Sequence, residues 1–165
     1  MNPIARRTLL GGGLLALAGC SGMFSGQYIG PEITGIVVKK SERKMYLFHG
    51  NQVVEVYDIH LGTNPVGHKQ FEGDGKTPEG QYYITHRNPR SQFHLSLGIS
   101  YPNEADRAYA ASQGKEPGGD IFIHGESPYP SGKDDWTVGC IAVTNAEMDV
   151  IYAMVNPGTP IWIQP

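Results

Sequence analysis

A mainly β fold with one or two short α-helices towards the C-terminal half is what this sequence predicts. Three observations lead there. Only 18% of the 165 residues are charged while glycine (22) and proline (12) are frequent, a balance that suits strands and turns better than solvated surface helices. Apolar residues come in short β-branched or alternating runs bounded by Gly, Asn and Pro, the pattern of half-buried strands. Helical spacing is clearest in one place, where Met148, Ile151, Tyr152 and Val155 fall at i, i+3, i+4 and i+7.

The first twenty residues read as an export leader rather than as part of the fold. Arg6 and Arg7 precede an apolar run from Leu9 to Ala18, which ends at Gly19-Cys20. That run is shorter than the roughly 20 residues a transmembrane helix needs. Leu17-Ala18-Gly19-Cys20 resembles the bacterial lipobox, in which the cysteine carries the lipid and becomes the mature N-terminus. The other reading is an ordinary signal peptide that merely contains Cys20. Arg6-Arg7-Thr8-Leu9-Leu10 also has a twin-arginine character, and Sec and Tat export both fit it. The expected organisation is a signal peptide over 1–19, a flexible tether over 20–32 and one domain over 33–165. The chain is expected in the cell envelope, in the periplasm, lipid-anchored to a membrane through Cys20.

Within the domain, Ile33 to Lys39 is a β-branched strand. Met45–Phe48 and Val53–Tyr57 flank His49-Gly50-Asn51 and predict a hairpin. Pro65 to Pro78 reads as a long surface loop and Gln81–Ile84 as a strand; Phe93 to Ile99 alternates like a strand with one buried face. Asn103 to Ser112 suits a short helix stopped by Gly114 and Pro117. Ile121-Phe122-Ile123 is a buried strand that ends at His124-Gly125. Thr144 with Glu147 three residues on predicts a capped helix start, Pro157-Gly158 its end, and Ile161–Ile163 a last strand.

The net charge of -3 becomes more negative once Arg6 and Arg7 are removed, and there is no basic stripe. Nucleic acid is thereby excluded as a partner. If Cys20 carries lipid, Cys140 has no intrachain partner in an oxidising compartment. A Cys20–Cys140 disulfide, or a buried inert Cys140, is the structural alternative. The surroundings of Cys140 point to chemistry instead. It follows Gly139, whose missing Cβ lets backbone approach a ligand, and it precedes the apolar run Ile141–Val143. A reacting thiol needs a base to reach the thiolate. Among six histidines, His124 has the best local case, at the mouth of a buried strand and before a glycine.

These residues resemble a known family. His124-Gly125, a spacer, and Thr137-x-Gly139-Cys140 are similar to the catalytic signature of the L,D-transpeptidase domain (YkuD, ErfK/YafK). Asp74-Gly75-Lys76-Thr77-Pro78-Glu79-Gly80-Gln81-Tyr82 agrees with it, as does Leu97–Asn103 with Asp106. The resemblance implies a YkuD-like sandwich or barrel of mixed sheets acting on peptidoglycan stem peptides. Carried over, Cys140 is the nucleophile, His124 the base, and the Gly125 carbonyl orients the imidazole. Thr137 and the amides of Gly139 and Cys140 would line the oxyanion side. No cofactor or metal is implied, and a monomer is expected.

Two positions depart from the family pattern. Val138 stands where a second histidine is frequent, and Ala142 where Asn or Arg is common. Both leave nucleophile and base in place and bear on the acceptor. The leading expectation is a transpeptidase that forms 3-3 crosslinks or attaches a protein amine to the wall, with a wall-attached lipoprotein as a further partner. An L,D-carboxypeptidase or amidase would hydrolyse the same acyl-enzyme, and a non-catalytic wall-binding lipoprotein would keep only the fold. A zinc hydrolase built on His60, His68, His86 and His94 has no recognised ligand spacing to support it.

Overall fold

A computed structural model describes residues 28–129 and 132–165. The leader, its lipobox and Cys20 lie outside the described residues. Eight strands and two helices follow in the order β1 (Gly35–Lys39), β2 (Lys44–His49), β3 (Gln52–Asp58), β4 (Gly80–Ser91), β5 (His94–Ile99), α1 (Glu104–Ser112), β6 (Phe122–His124), β7 (Ile141–Ala142), α2 (Asn145–Met154) and β8 (Pro160–Gln164). They form one mixed sheet in the order β3-β2-β1-β8-β4-β5-β6-β7. The expected mainly β, mixed-sheet fold with two short helices is what the chain adopts.

The β2–β3 hairpin forms across Gly50 as the turn residues predict, with Tyr46 opposite Val56. Alternation then decides which face is buried. Ile36 and Val38 of β1, Met45 and Leu47 of β2, and Ile161 and Ile163 of β8 all point inward. The last strand inserts between β1, to which it is parallel, and β4, to which it is antiparallel. No local pattern announces that placement.

Strand β4 is longer than expected, at 12 residues. Its first part, Gly80–Tyr83, pairs with β8, and the remainder pairs with β5 across two register shifts. The polar stretch Thr85–Ser91 hides this strand from a hydrophobic pattern, because most of its side chains are exposed. Pro89 sits within the second register shift, where a strand tolerates a missing amide donor. Through β4 the two halves of the sheet share one core, which also takes Met148, Ile151 and Met154 from α2.

Both helices begin as their caps dictate. Asn103 and Asp106 form a reciprocal capping box for α1, and Thr144 and Glu147 form one for α2. Helix α2 stops at Met154, so Val155 is already extended, though still buried. The segment before β4 is a surface loop only in part, since Lys69 and Thr77 within it are buried. Among the described residues no helix is long and apolar enough to cross a membrane.

Candidate active site

Strands β6 and β7 run parallel at the end of the sheet, with Ile123 beside Ile141 and His124 beside Ala142. Paired residues share a face and successive residues alternate. Ile123 and Ile141 therefore enter the core, while His124 and, one step before β7, Cys140 belong to the opposite face. Cys140 thus lies two residues ahead of Ala142, the partner of His124, and on the same face.

His124 is buried, with Phe93 stacked on its ring at 4.6 Å between centroids and Trp136 tilted beside it at 5.6 Å. Its Nδ1 lies 2.7 Å from the Gly125 carbonyl oxygen. A carbonyl can only accept, so Nδ1 carries the proton and Nε2 keeps the basic lone pair. Burial holds the imidazole pKa below the usual 6.5, opposed by that hydrogen bond, which favours the charged ring. Gly125 is clamped in turn: its amide donates to the Phe93 carbonyl at 3.0 Å. A Cβ there would overlap Asn145 Oδ1 and sit 3.0 Å from Phe93 O. Only glycine fits between Phe93, in the turn from β4 to β5, and Asn145 at the start of α2.

Cys140 is a free, half-buried thiol whose Sγ donates to the Asp120 carbonyl at 3.4 Å. Burial pushes the thiol up from its usual pKa of 9.0; the Phe122 amide and the charge of Lys69 act against that, and the carboxylate of Asp120 adds to it. A lowered imidazole beside a raised thiol describes a resting pair in which both members are neutral.

The loop carrying Cys140 is braced by Thr137. Its buried hydroxyl donates to the Cys140 carbonyl at 2.7 Å and accepts the Gly139 amide at 3.2 Å. The Gly139 N–H, placed by resemblance on the oxyanion side, is thus engaged by Thr137 in the free protein, and the Thr137 hydroxyl proton is spent on the chain. Upstream, the Asp135 carboxylate accepts from Leu61 N at 2.9 Å and from Arg43 Nη2 at 2.7 Å. Thr137 N bonds Leu61 O at 3.1 Å and Thr63 N bonds Thr137 O at 2.9 Å. The segment over 61–63, which follows β3, and Arg43 therefore hold the loop.

Below it runs the segment that contains Asp74-Gly75-Lys76-Thr77. One Asp74 oxygen accepts from Gln70 N (2.8 Å) and Phe71 N (3.1 Å), the other from Lys76 N (3.0 Å) and Lys69 Nζ (3.0 Å). These bonds hold its carboxyl below the usual range against the cost of burial, the largest single influence. Gly139, at φ 137°, packs on this segment so closely that a Cβ would lie 2.7 Å from Lys76 O. Asp106 is the hub of a separate buried network, accepting from Tyr82 Oη (2.9 Å), His68 Nε2 (3.0 Å) and Asn103 N (2.9 Å). Its place in the third motif is structural.

Sequence reasoning missed Phe93, Trp136 and Asn145, which touch His124 or Gly125 through folding alone. The four histidines weighed as zinc ligands lie apart: His60 at the Asp134 carbonyl, His68 at Asp106, His86 against Phe122, and His94 paired with Asp149. Among the described residues no three His, Cys, Asp or Glu side chains converge on a metal position. A cleft of about 170 Å³ opens beside Trp136, bounded by His60, Glu126, Ser127 and Thr144. Larger clefts of about 560 and 710 Å³ lie against α2 and α1 and include neither Cys140 nor His124.

The class is defined by a mixed sheet with a buried histidine at the end of β6 and a thiol immediately before the parallel β7. Residues 33–163 match the model of the YkuD L,D-transpeptidase catalytic domain, and the chain belongs to that family. It is 34% identical to YafK of Escherichia coli over 137 residues, which is 79% of this chain and 50% of that protein. The chain thus spans about half the length of the curated relatives it matches. Among solved structures it resembles the helical cell shape determining protein Pgp2 of Campylobacter jejuni, at 25% identity and a TM-score of 0.62 over 82% of this chain and 49% of that one. An L,D-transpeptidase of Enterococcus faecium, 18% identical with a TM-score of 0.52 over 81% of this chain and 50% of that one, shares the fold.

Proposed function

We propose that this protein is a peptidoglycan L,D-transpeptidase working through a thioester on Cys140. The observation that carries the reading is the polarised imidazole: with Nδ1 bound to the Gly125 carbonyl, His124 offers Nε2 on the face from which Cys140 projects. Nε2 takes the thiol proton as Sγ attacks the carbonyl carbon of the third stem residue, and the carbonyl electrons move to oxygen. We assign stabilisation of that oxyanion to the Cys140 main-chain amide, in a loop shaped by Thr137 and Gly139. Collapse breaks the C–N bond, His124 returns the proton to the departing D-alanine amine, and the thioester remains. An acceptor amine then attacks with His124 again as base.

The neutral resting pair agrees with this sequence of proton transfers, because the thiolate is needed only during attack. The domain over 33–165 acts as a monomer on stem peptides of the wall, exported to the periplasm and tethered by lipid on Cys20 through residues 20–32. A wall-attached lipoprotein is a second acceptor class. One observation favours hydrolysis over transfer: Val138, two residues ahead of Cys140, is 79% exposed and apolar, so it supplies an incoming amine no polar contact. Incubation of the purified protein with disaccharide tetrapeptide, resolved by mass, decides between them. Crosslinked dimers are expected, and tripeptide alone would establish the carboxypeptidase. Turnover that survives Cys140→Ala would refute the thioester in both.

A further inference from the structure

We propose that Lys69 is a positioning residue of the thiol site, a fixed positive charge built into the floor on which the Cys140 loop rests. Lys69 is 3% exposed, a placement that an ammonium tolerates only when its protons are bonded and its charge is matched. Both conditions are met within its own turn. Nζ donates to Phe71 O at 2.9 Å and to Asp74 Oδ1 at 3.0 Å. The same Asp74 oxygen accepts the Lys76 amide at 3.0 Å, and the Lys76 carbonyl is the atom against which Gly139 is pressed. A chain of direct contacts therefore runs from the ammonium through Asp74 and Lys76 to the residue before the nucleophile. A leucine or methionine at this position would fill the same space without the burden of a buried charge.

The ion therefore has a use beyond packing, and its field reaches the thiol, where it opposes the penalty from burial and from Asp120. The charges that act on the Cys140 thiol are Asp120, from the segment entering β6, and Lys69; His124 stands on β6, and Asp74 and Lys76 belong to the floor. Among these Lys69 combines full burial with a positive charge, so solvent screens it least. In the acyl-transfer reaction it lowers the cost of reaching the thiolate as His124 takes the proton. The inference rests on Cys140 being the reacting thiol.

The test is the pH dependence of Cys140 alkylation by iodoacetamide in the purified full chain, with the adduct mapped by mass. Lys69→Gln keeps donors for Phe71 O and Asp74 and removes the charge. Its alkylation midpoint is expected to move to higher pH, with a rate at neutral pH about threefold or more below wild type. Lys69→Arg restores the charge and is expected to restore the midpoint. An unmoved midpoint in a folded Lys69→Gln protein overturns the proposal, as does a midpoint that Lys69→Arg fails to restore. If Lys69→Gln does not fold, Lys69→Met, which keeps the apolar stem and removes only the positive charge, is read in the same way, and the same upward move is expected. Alkylation reads the thiol independently of turnover, so turnover surviving Cys140→Ala would remove the proposed function without touching this result.

Discussion

Replacing Thr137 by valine keeps the side-chain shape and deletes one hydroxyl, which in this fold holds two main-chain groups at once. The 2.7 Å bond to the Cys140 carbonyl and the 3.2 Å bond from the Gly139 amide are both lost. A buried polar group left without a partner costs about 1–3 kcal/mol. Cys140 is only half-buried, so water reaches its side of the loop and the pair together should cost about 2–3 kcal/mol. For a domain of this size that corresponds to a melting temperature lower by about 6–9 °C. Turnover on stem tetrapeptide should fall further than stability does, because the loop that aims the thiol has lost its brace. Thr137→Ser, which keeps the hydroxyl, should recover most of both. Melting followed by circular dichroism, with turnover measured well below the transition, gives the two readouts. A valine variant that melts within about 2 °C of wild type and turns over normally would show that Thr137 does not organise the loop.

Two further outcomes follow from the histidine side of the site. Burial lowers the folded-state pKa of His124 beneath 6.5, so the unfolded chain binds its proton more readily; this contribution to stability is present above 6.5 and is lost as pH falls through the folded value. Melting temperature should therefore decline on acidification below 6.5 less steeply in His124→Gln than in wild type, and the acid limb of kcat/KM should lie below 6.5. Equal slopes in the two proteins would contradict the assignment. Gly125→Ala forces a methyl into Asn145 Oδ1 and shifts the carbonyl that holds Nδ1. Its kcat should drop by about 10- to 100-fold with a smaller change in KM, and an unchanged kcat would mean that the Gly125 carbonyl does not orient the base.

Much of the fold was legible because burial writes itself locally. The β2–β3 hairpin, both helix starts and the inward faces of β1, β2 and β8 follow from turn chemistry, capping residues and alternation. Strand β4 was half hidden: Tyr82 and Ile84 report a core, but Thr85–Ser91 face solvent and contain a proline, so no hydrophobic signal marks them. The loop over 65–78 was misjudged for a related reason. Apart from Pro78 at its end, its buried residues are Lys69 and Thr77, polar side chains that are inside because hydrogen bonds receive them. Phe93, Trp136 and Asn145 had no signal, since an aromatic or an amide in a loop acquires a role only from what it meets.

By itself the sequence determined the chemical types at the site, a thiol after glycine and a histidine ahead of glycine, and the family to which their spacing corresponds. It also determined the mainly β character of the chain, because strand and turn propensities act over a few residues. Tertiary structure alone decided that β8 joins β1 to β4, that β6 and β7 lie parallel in a register placing Cys140 and His124 on one face, and that the segment carrying a buried lysine underlies the Cys140 loop. These are relations between segments distant in sequence. They arise from a shared core and from the hydrogen bonds that buried polar groups must find, neither of which a local pattern records.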